Sequence, residues 1–308
     1  MQKSPIKQGV ILVNLGSPTA PEPAAIKAFL ASFLSDKRVV EIPSLIWKPL
    51  LHGVILPLRA KRVAGLYHEI WTEQGSPLTA MTLRQVELLQ ALCPDVAVAH
   101  AMTYGQPSVA SVIERFRAQG IESILLIPLY PQYSGTTTGA VYDQVAKLIQ
   151  RSRFVPDVYI VRQYCEREDY HEALAHSIRD HWSSHGQSQK LLFSFHGIPQ
   201  RCVDLGDPYL QQCQATAMAV ATKLKLEDGQ WTVAFQSRFG NAKWLQPYTD
   251  RVLEELPQQG IRSVDVVCPA FASDCLETLE EIEVGSRGCF MSAGGERFSR
   301  IKCLNDDS

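Results

Sequence analysis

A histidine and a row of carboxylates are the side chains in this sequence best suited to proton transfer. His196 ends the apolar run of "LLFSFHGIPQR", just before a Gly and Pro break. Asp274, Glu277 and Glu281 follow one another at spacings of three and four in "FASDCLETLEEIE", which predicts three carboxylates on one helical face. A neutral imidazole accepts protons near physiological pH, and carboxylates pass protons on or bind hard cations.

Each of these features also has a purely structural interpretation. A histidine at the end of a strand often bonds only to a nearby carbonyl group. Asp274, with Glu277 three residues later, resembles a helix capping box, and acidic residues suit the first turn of a helix. Two such features at strand ends favour a shared site, because ligands of open parallel sheets bind beyond the carboxyl ends of the strands.

Short β-branched or aliphatic runs alternate with longer stretches of helical period, which predicts an α/β fold of parallel sheets with helices on both faces. The predicted helices include 243–256 and the acidic helix 274–284. The predicted strands are Val10–Asn14, Val96–Met102, Ser123–Leu129, Val158–Gln163, Leu191–Phe195, Trp231–Gln236 and Val264–Cys268.

A chain of 308 residues exceeds one typical core, so we expect two lobes. The Pro-bearing stretch around Pro156 is the best crossover, because no helical pattern continues through it. This predicts an N-terminal α/β lobe at 1–153 and a C-terminal α/β lobe at 154–288 that carries His196 and Glu277. The last segment, 289–308, is predicted as a separate C-terminal segment, and whether it returns to the first lobe is left open.

Composition excludes several classes of protein. The formal net charge is −2 and the hydrophobic content is 45%, so there is no global positive field for nucleic acid. The apolar run near the N-terminus is too short for a signal peptide, and no run of about 18 apolar residues exists, which predicts a cytoplasmic protein without a membrane-spanning helix. The eight cysteines contain no C-x-x-C pair, which favours free thiols.

The segment "IWKPLLHGVILPLRAKR", from Ile46 to Arg62, is both apolar and basic. One interpretation is a core helix followed by a solvated basic turn. The other is a lip that touches a membrane or an apolar ligand.

Seven stretches together resemble, in order and spacing, the ferrochelatases, which insert ferrous iron into a porphyrin. The resemblance runs from about residue 8 to residue 284, and the histidine and "ETLEE" blocks together are its most specific part. The stretches are "VILVNLGSP", "GSPL", "IPLYPQYSGTTTG", "LLFSFHGIP", "GDPY", "FQSRFG…WLQPYT" and "FASDCLETLEEI".

The resemblance implies a chelatase-like fold of two Rossmann-like lobes, with the porphyrin held between them. It implies that His196 and Glu277 are the essential catalytic residues and the contacts for ferrous iron. The spacing of the carboxylate row itself predicts that Asp274 and Glu281 relay protons or metal. The resemblance also implies a set of porphyrin contacts, with the basic residues pairing with propionates and the aromatic residues packing on the ring. These contacts are Arg59, Lys61, Arg62, Tyr67, Ser76, Trp244 and Phe271.

The sequence departs from the family pattern in ways that bear on cofactors. Many members have a histidine two residues before the essential glutamate, where this chain has Cys275, so a proton relay through that position is in doubt. Gly135 stands where cluster-bearing animal members have a cysteine, and only Cys289 and Cys303 lie near the C-terminus. We therefore expect no iron–sulfur cluster, with iron as a substrate rather than a resident cofactor.

The function predicted in this way is the terminal step of haem synthesis, insertion of ferrous iron into protoporphyrin IX. The segment 46–58 then becomes the lip at which a poorly soluble porphyrin arrives, with contact at the periphery of the inner membrane. A tetrapyrrole or metal carrier without turnover is the alternative. A nucleotide-dependent α/β enzyme would require a phosphate-binding loop, and neither G-x-G-x-x-G nor G-x-x-x-x-G-K-[ST] is found in the sequence.

Overall fold

A computed structural model describes residues 7–240 and 242–307, and the chain divides into two lobes. The first lobe extends from residue 7 to Tyr130 and includes Gly135–Arg162. The second contains Pro131–Ser134 and Gln163–Asp307.

The first lobe is a parallel sheet flanked by helices. Its strands, in the spatial order β2-β1-β3-β4, are β1 (Gln8–Asn14), β2 (Ala97–Met102), β3 (Ser123–Pro128) and β4 (Asp157–Ile160). Its α-helices are α1 (Pro23–Leu34), α2 (Ser44–Leu50), α3 (Leu56–Ile70), α4 (Pro77–Leu92), α5 (Val109–Ala118) and α6 (Thr138–Arg151). A π-helical segment, Leu51–Ile55, joins α2 to α3.

Helices cover both faces of β1, an inner strand of this sheet. Because successive side chains of a strand point to opposite faces, Ile11 and Val13 of β1 belong to one face. Both are completely buried in a cluster with residues of α5 and α6. Asn14 points to the other face, where its Nδ2 donates to Thr82 Oγ1 of α4 at 3.0 Å. An almost continuous buried run of this kind is typical of a parallel strand covered by helices on both sides.

The second lobe repeats this topology. Its strands, in the spatial order β6-β5-β7-β8, are β5 (Lys190–His196), β6 (Trp231–Gln236), β7 (Ser263–Val267) and β8 (Arg297–Arg300), all parallel. Its α-helices are α7 (Glu168–His185), α8 (Gln200–Asp204), α9 (Tyr209–Lys223), α10 (Thr249–Glu255) and α11 (Arg287–Ser292). A π-helix, Glu277–Ser286, precedes α11, and a short 3₁₀ turn, Leu256–Gln259, follows α10.

Strand β5 separates two hydrophobic clusters. Phe193 and Phe195 are fully buried against residues of α7 and α9. Leu192 lies on the opposite face, in a cluster with residues of α10, α11 and Ile282 of the π-helix. The period of two along the strand therefore places His196 on the face of Leu192, toward the layer that contains the π-helix.

The predicted α/β class and all seven predicted strands are confirmed, with shifts of one to three residues at several ends. The eighth strand, β8, was not predicted. Its sequence "RFSR" has only one apolar residue, and a four-residue strand at the edge of a sheet gives a weak pattern.

The predicted domain boundaries need two corrections. The first lobe continues to Arg162 rather than ending at 153, because β4 pairs with β3. The described part of segment 289–308 belongs to the second lobe and does not return to the first, because β8 pairs with β7 and Ile301 N donates to the Val266 carbonyl.

Two local expectations were also wrong. Arg59, Lys61 and Arg62 lie within helix α3 rather than on a basic turn, since the chain remains helical from Ser44 to Ile70. The helix predicted at 243–256 begins only at Thr249, because the preceding residues bond to the chain after β5, with Leu245 N donating to the Ile198 carbonyl.

The turn that follows β1 gives a test of the fold. Gly16 has φ +101°, and a Cβ on it would lie 1.8 Å from the Tyr104 carbonyl oxygen. We expect Gly16→Ala to lower the free energy of unfolding by about 2–5 kcal/mol, from left-handed backbone strain and from the clash together. Urea denaturation measures this difference.

Gly75→Ala is the matched control. Gly75 has nearly the same φ, +99°, but a Cβ there would meet nothing within 4 Å. Only the backbone strain remains, so we expect a cost of about 1–2 kcal/mol. Equal losses in the two variants would contradict a steric role for the Tyr104 carbonyl.

Candidate active site

His196 is the last residue of β5, at the carboxyl end of the sheet. Its Nδ1 lies 2.6 Å from the Gly197 carbonyl oxygen. Because a carbonyl oxygen can only accept, Nδ1 must carry the proton in this contact, which leaves the lone pair of a neutral ring on Nε2. Nε2 is therefore the ring atom at which a neutral imidazole would accept a proton or bind a metal.

The acidic segment after β7 has a different helical form from the one predicted. Residues Glu277–Ser286 form a π-helix, and Asp274 lies before it in an irregular segment. Glu277 and Glu281 therefore share a helix, whereas Asp274 does not. Long π-helices are rare, and π-helical turns occur frequently at functional sites.

Gln236 links the π-helix to the strand of His196. It ends β6 and is paired in register with His196. Its Nε2 donates to the Glu277 carbonyl at 3.0 Å, and its Oε1 accepts from Ser194 Oγ at 2.8 Å. The start of the π-helix is therefore held next to the carboxyl end of β5.

The carboxylate of Glu281 is directed at the same place. One oxygen accepts from the Ser237 backbone N–H at 2.7 Å, and the other accepts from Ser237 Oγ. Burial raises the pKa of Glu281, while the bonds from Ser237 and the charge of His196 partly oppose this shift. A buried carboxyl group that interacts with an imidazole is suited to receive its proton.

Cys275 contacts the predicted catalytic glutamate. Burial raises the pKa of the Cys275 thiol well above its usual value, and the neighbouring Glu277 carboxylate, which accepts a hydrogen bond from the thiol, adds to this shift. The thiol therefore stays protonated near neutral pH. It can hold the Glu277 carboxylate in place, but it cannot take up a proton as a histidine would.

Asp274 is bound by three side chains. Arg300 Nη1 and Thr278 Oγ1 donate to its Oδ1 at 2.7 and 2.8 Å, and Asn305 Nδ2 donates to Oδ2 at 2.9 Å. A capping box would instead require this carboxylate at a helical backbone N–H. The relay role predicted for Asp274 stays a prediction, and these partners favour a structural role.

Two aromatic residues from the predicted substrate set lie near His196. The ring centroid of Phe271 is 6.2 Å from that of His196, and the planes are tilted by 59°. Trp244 packs on the turn after the histidine, where a Cβ on Gly197 would lie 3.2 Å from the indole. Its Nε1 donates to the Phe239 carbonyl at 2.8 Å, which fixes the orientation of the ring.

The remaining predicted substrate residues belong to the first lobe. Arg59, Lys61, Arg62 and Tyr67 lie on α3, where Lys61 and Arg62 are exposed and Tyr67 is buried with its ring against Trp71. Burial, together with the charge of Arg62, lowers the pKa of Arg59.

Ser76 is the N-cap of α4 and is almost completely buried. Its Oγ accepts from Thr79 N at 3.3 Å and lies 2.5 Å from Ser17 Oγ, in the loop after β1. This cap is a sufficient structural reason for the serine, and its substrate role stays a prediction.

Gln236 and Ser237 bind the predicted site residues, and the sequence analysis did not select them. Both lie at the end of the predicted strand Trp231–Gln236, and this position alone could have made them candidates. Gln236 is 41 residues from its partner Glu277, and Ser237 is 44 residues from its partner Glu281. No local sequence pattern spans such distances.

In residues 7–240 and 242–307, no group of three or more His, Cys, Asp or Glu side chains converges to hold a metal ion. The predicted contacts for iron are His196 and Glu277, and these two assignments stay predictions. Among the same residues, no helix is long and apolar enough to cross a membrane.

Comparison with solved structures defines the class of protein. Two structures of SirB proteins superpose on nearly the whole chain at only 13% identity. SirB from Bacillus subtilis with Fe3+ gives a TM-score of 0.54 over 98% of this chain and 90% of its own. The sirohydrochlorin chelatase SirB from Bacillus subtilis subspecies spizizenii, in complex with cobalt, gives 0.53 over 97% and 89%. The chain therefore has the two-lobed α/β fold of the chelatases.

Sequence comparison then gives the family. The profile of the Ferrochelatase family matches residues 7–308. Ferrochelatase 1 of Shewanella oneidensis is 51% identical over 304 residues, 97% of this chain and 91% of its own length. The ferrochelatase of Aeromonas hydrophila is 51% identical over 305 residues, covering 98% and 94%. The chain belongs to the ferrochelatase family.

The predicted enzyme class, metal insertion into a porphyrin in haem synthesis, is confirmed by these similarities. Nothing in them favours a carrier without turnover.

The raised pKa of Glu281 gives a test by pH. A carboxyl group whose pKa is higher in the folded than in the unfolded chain binds more protons when folded, so stability falls as pH rises above the ordinary glutamate value of 4.5. Glu281→Gln cannot ionise. We expect its free energy of unfolding to improve relative to the original protein between pH 4.5 and pH 6, measured by urea denaturation.

The difference in free energy of unfolding between Glu281→Gln and the original protein cancels the contribution of every group that titrates alike in both. A difference that stays constant over this range, or that moves in favour of the glutamate, would contradict the burial of an unfavourable charge at position 281.

Proposed function

We propose that this ferrochelatase-family enzyme inserts ferrous iron into protoporphyrin IX through His196, Glu277 and Glu281. The observation that carries the proposal is the geometry of His196. Its Nδ1 donates to the Gly197 carbonyl, which leaves Nε2 as the ring atom that can accept a proton, and a positive charge on the ring lowers the pKa of the buried Glu281 carboxyl group. The reaction requires a base and a group that takes the proton from it.

The reaction exchanges one metal ion for two protons. Ferrous iron forms bonds to the four porphyrin nitrogens, two N–H bonds break, and two protons leave with no change in oxidation state. His196 Nε2 accepts a proton from a pyrrole nitrogen, and the imidazolium is stabilised by the carboxylate of Glu281. Glu281 then takes the proton from the imidazolium and passes it on, and the burial that raises the pKa of Glu281 favours this uptake.

Ferrous iron reaches the porphyrin as a substrate. Imidazole and carboxylate are suitable ligands for a divalent iron, and we assign the contacts to His196 and Glu277. The Cys275 thiol, held protonated by burial and by Glu277, keeps the carboxylate oriented while leaving it lone pairs for the metal. A site with only two protein ligands holds the ion weakly enough to release it to the macrocycle.

The porphyrin contacts follow the side-chain chemistry. Phe271 lies beside His196 and offers an apolar face to the ring, and Trp244 supports the turn that follows the histidine. We also propose that basic residues of α3 pair with propionates as charge-assisted donors. The residues concerned are Arg59, Lys61 and Arg62.

We propose that no iron–sulfur cluster takes part. The sequence has no C-x-x-C pair and only two cysteines near its end, Cys289 and Cys303, the second of which is buried. Absorption of the protein purified without oxygen, between about 400 and 600 nm, tests this point.

Replacing the base or the essential carboxylate tests the mechanism. We expect His196→Ala and Glu277→Gln each to lower kcat at least about a hundredfold, because a general base and a metal contact act only in the chemical step. Porphyrin binding and the thermal midpoint are expected to change little. Conversion of the porphyrin absorption bands with ferrous iron measures the rate, and quenching of tryptophan fluorescence measures binding.

Two variants serve as controls. His181→Ala removes another half-buried imidazole of the second lobe, one that bonds to Ser299 Oγ, and Glu280→Gln removes one charge from the π-helix. Both are expected to keep kcat within about twofold. Full activity in His196→Ala, or a purely thermal defect in Glu277→Gln, would overturn these assignments.

We further propose that the enzyme is cytoplasmic and meets the inner membrane peripherally through the segment 45–58. Five large apolar side chains in this segment are exposed, and Leu45 and Leu58 are exposed by 92% and 72%. Exposed apolar residues concentrated in this way mark an interaction surface. The five are Leu45, Ile46, Leu50, Val54 and Leu58.

The helical form of the segment keeps four of these side chains on one side. Ile46, Leu50, Val54 and Leu58 are four residues apart, and in an α-helix each step of four rotates by about 40°. The wider π-helical turn at Leu51–Ile55 offsets part of this rotation.

Trp47 anchors the opposite side of the segment. It is buried, and its Nε1 donates to the Leu34 carbonyl at 2.6 Å. With Lys48, Lys61 and Arg62 nearby in sequence and exposed, the segment suits an anionic lipid surface.

A lipid-binding assay tests this surface. We expect Leu45→Ser combined with Leu58→Ser to weaken binding to vesicles of phosphatidylethanolamine and phosphatidylglycerol at least about tenfold, since inserted leucine side chains contribute about 1.5–3 kcal/mol each. Co-sedimentation at several lipid concentrations measures the affinity.

Leu92→Ser is the matched control, because Leu92 is 80% exposed at the end of α4 and outside the segment. It should bind vesicles as the original protein does. If the double variant and the control bind equally, segment 45–58 is not the contact surface.

A further inference from the structure

A polar cluster lies where the C-terminal part of the chain meets the start of the π-helix. Its centre is the carboxylate of Asp274, which accepts hydrogen bonds from Arg300, Thr278 and Asn305. The side chains of Asp274 and Arg300 are only 14% and 12% exposed. The ion pair is therefore largely removed from water, and its geometry is fixed by four bonding groups rather than two.

The arginine of this cluster attaches both to the segment before the π-helix and to the π-helix itself. Arg300 ends β8 and is paired in register with Val266 of β7, so its backbone is fixed by the sheet. Its Nη1 donates to Asp274, three residues before the π-helix, and its Nε forms an ion pair without hydrogen-bond geometry with Glu283 Oε2, at 3.3 Å in the second turn. Glu277 and Glu281 lie between these two attachment points.

The asparagine fixes the chain that leads into the π-helix. Asn305 has φ +53°, a left-handed conformation that asparagine tolerates better than most residues. Its backbone N–H donates to the Ala272 carbonyl at 3.0 Å, and its Oδ1 accepts from Asp274 N at 2.8 Å. The segment from Phe271 to Glu277 is thereby bound at both residue 272 and residue 274.

We propose that Arg300 and Asn305 are positioning residues for metal insertion. Through Asp274 they fix where the π-helix begins and how it is wound, and so where the carboxylates of Glu277 and Glu281 lie relative to His196. The proposal rests on the catalytic assignment made above. It gives Asp274 a structural function in place of the relay predicted from its spacing.

The winding of the helix explains why such positioning is needed. An α-helix has 3.6 residues per turn, and a π-helix has a wider turn. The angle between side chains four residues apart therefore differs between the two forms. If the π-helix relaxed to an α-helix, Glu281 would rotate away from Ser237 while Glu277 stayed held by Gln236. Two attachments by Arg300 oppose this change.

The test combines kinetics with hydrogen–deuterium exchange. Arg300→Met removes the charge and the bonds, Arg300→Lys keeps the charge, and Asn305→Gly keeps the left-handed backbone but removes the amide. We expect Arg300→Met and Asn305→Gly to lower kcat about tenfold or more, with KM for protoporphyrin within about twofold. Amides of Glu277–Ser286 should exchange faster, and Arg300→Lys should recover part of kcat.

Arg297→Met is the matched control. Arg297 lies on the same strand, but its guanidinium bonds to Ser188 Oγ and to the carbonyls of His185 and Gly186. Its loss should lower the thermal midpoint without changing kcat or exchange in the π-helix. If Arg300→Met does not fold, Arg300→Lys and Asn305→Gly carry the same test.

Four results would overturn the proposal. Arg300→Met and Asn305→Gly could lose only thermal stability, as Arg297→Met does. They could lose kcat while exchange in the π-helix stays unchanged. Glu277→Gln, assayed in parallel, could stay fully active, which would overturn the catalytic assignment together with this proposal. An impaired Glu277→Gln beside fully active Arg300→Met and Asn305→Gly would overturn the positioning role alone.

Discussion

The buried amide of Gln236 holds together the elements on which the active site depends. Its oxygen accepts from Ser194 of β5 and its nitrogen donates to the Glu277 carbonyl of the π-helix, so one side chain joins two strands to a helix. A buried amide left without one of these partners would cost about 1–3 kcal/mol. The placement that satisfies both ends also brings the acidic helix to the strand that carries His196.

The strand order explains why the proposed site lies at this edge of the sheet. Strand β5 has β6 on one side and β7 on the other, so the connections after β5 and β7 leave the carboxyl edge where the order of strands reverses. Ligands of doubly wound sheets bind at such a point. His196 ends β5, and the segment after β7 supplies Phe271 and then the π-helix. The first lobe has the same strand order, and there Ser17 and Ser76 meet beyond the end of β1.

Each carboxyl group at this site has a different binding partner. Glu281 is buried, yet both of its oxygens accept from Ser237, a non-glycine residue with φ +64°. Residues held in sparsely populated backbone conformations cluster at functional sites. The negative charge of Asp274 is paired with Arg300. The carboxylate of Glu277 accepts a hydrogen bond from a thiol that stays protonated. The two groups proposed to exchange protons, His196 and Glu281, are the ones that interact across the site.

The order of residues along the chain was enough to predict the alternating strands and helices, the end of β5 at His196 and the enzyme family, because apolar period and motif spacing are local properties. It did not predict β8, the boundary at Arg162 or the π-helix, because edge pairing and helix winding depend on distant partners. Asp274, Glu277 and Glu281 look equivalent by spacing. Only the folded chain separates them, since Arg300 and Asn305 bind the first, Gln236 and Cys275 hold the second, and Ser237 directs the third toward the imidazole.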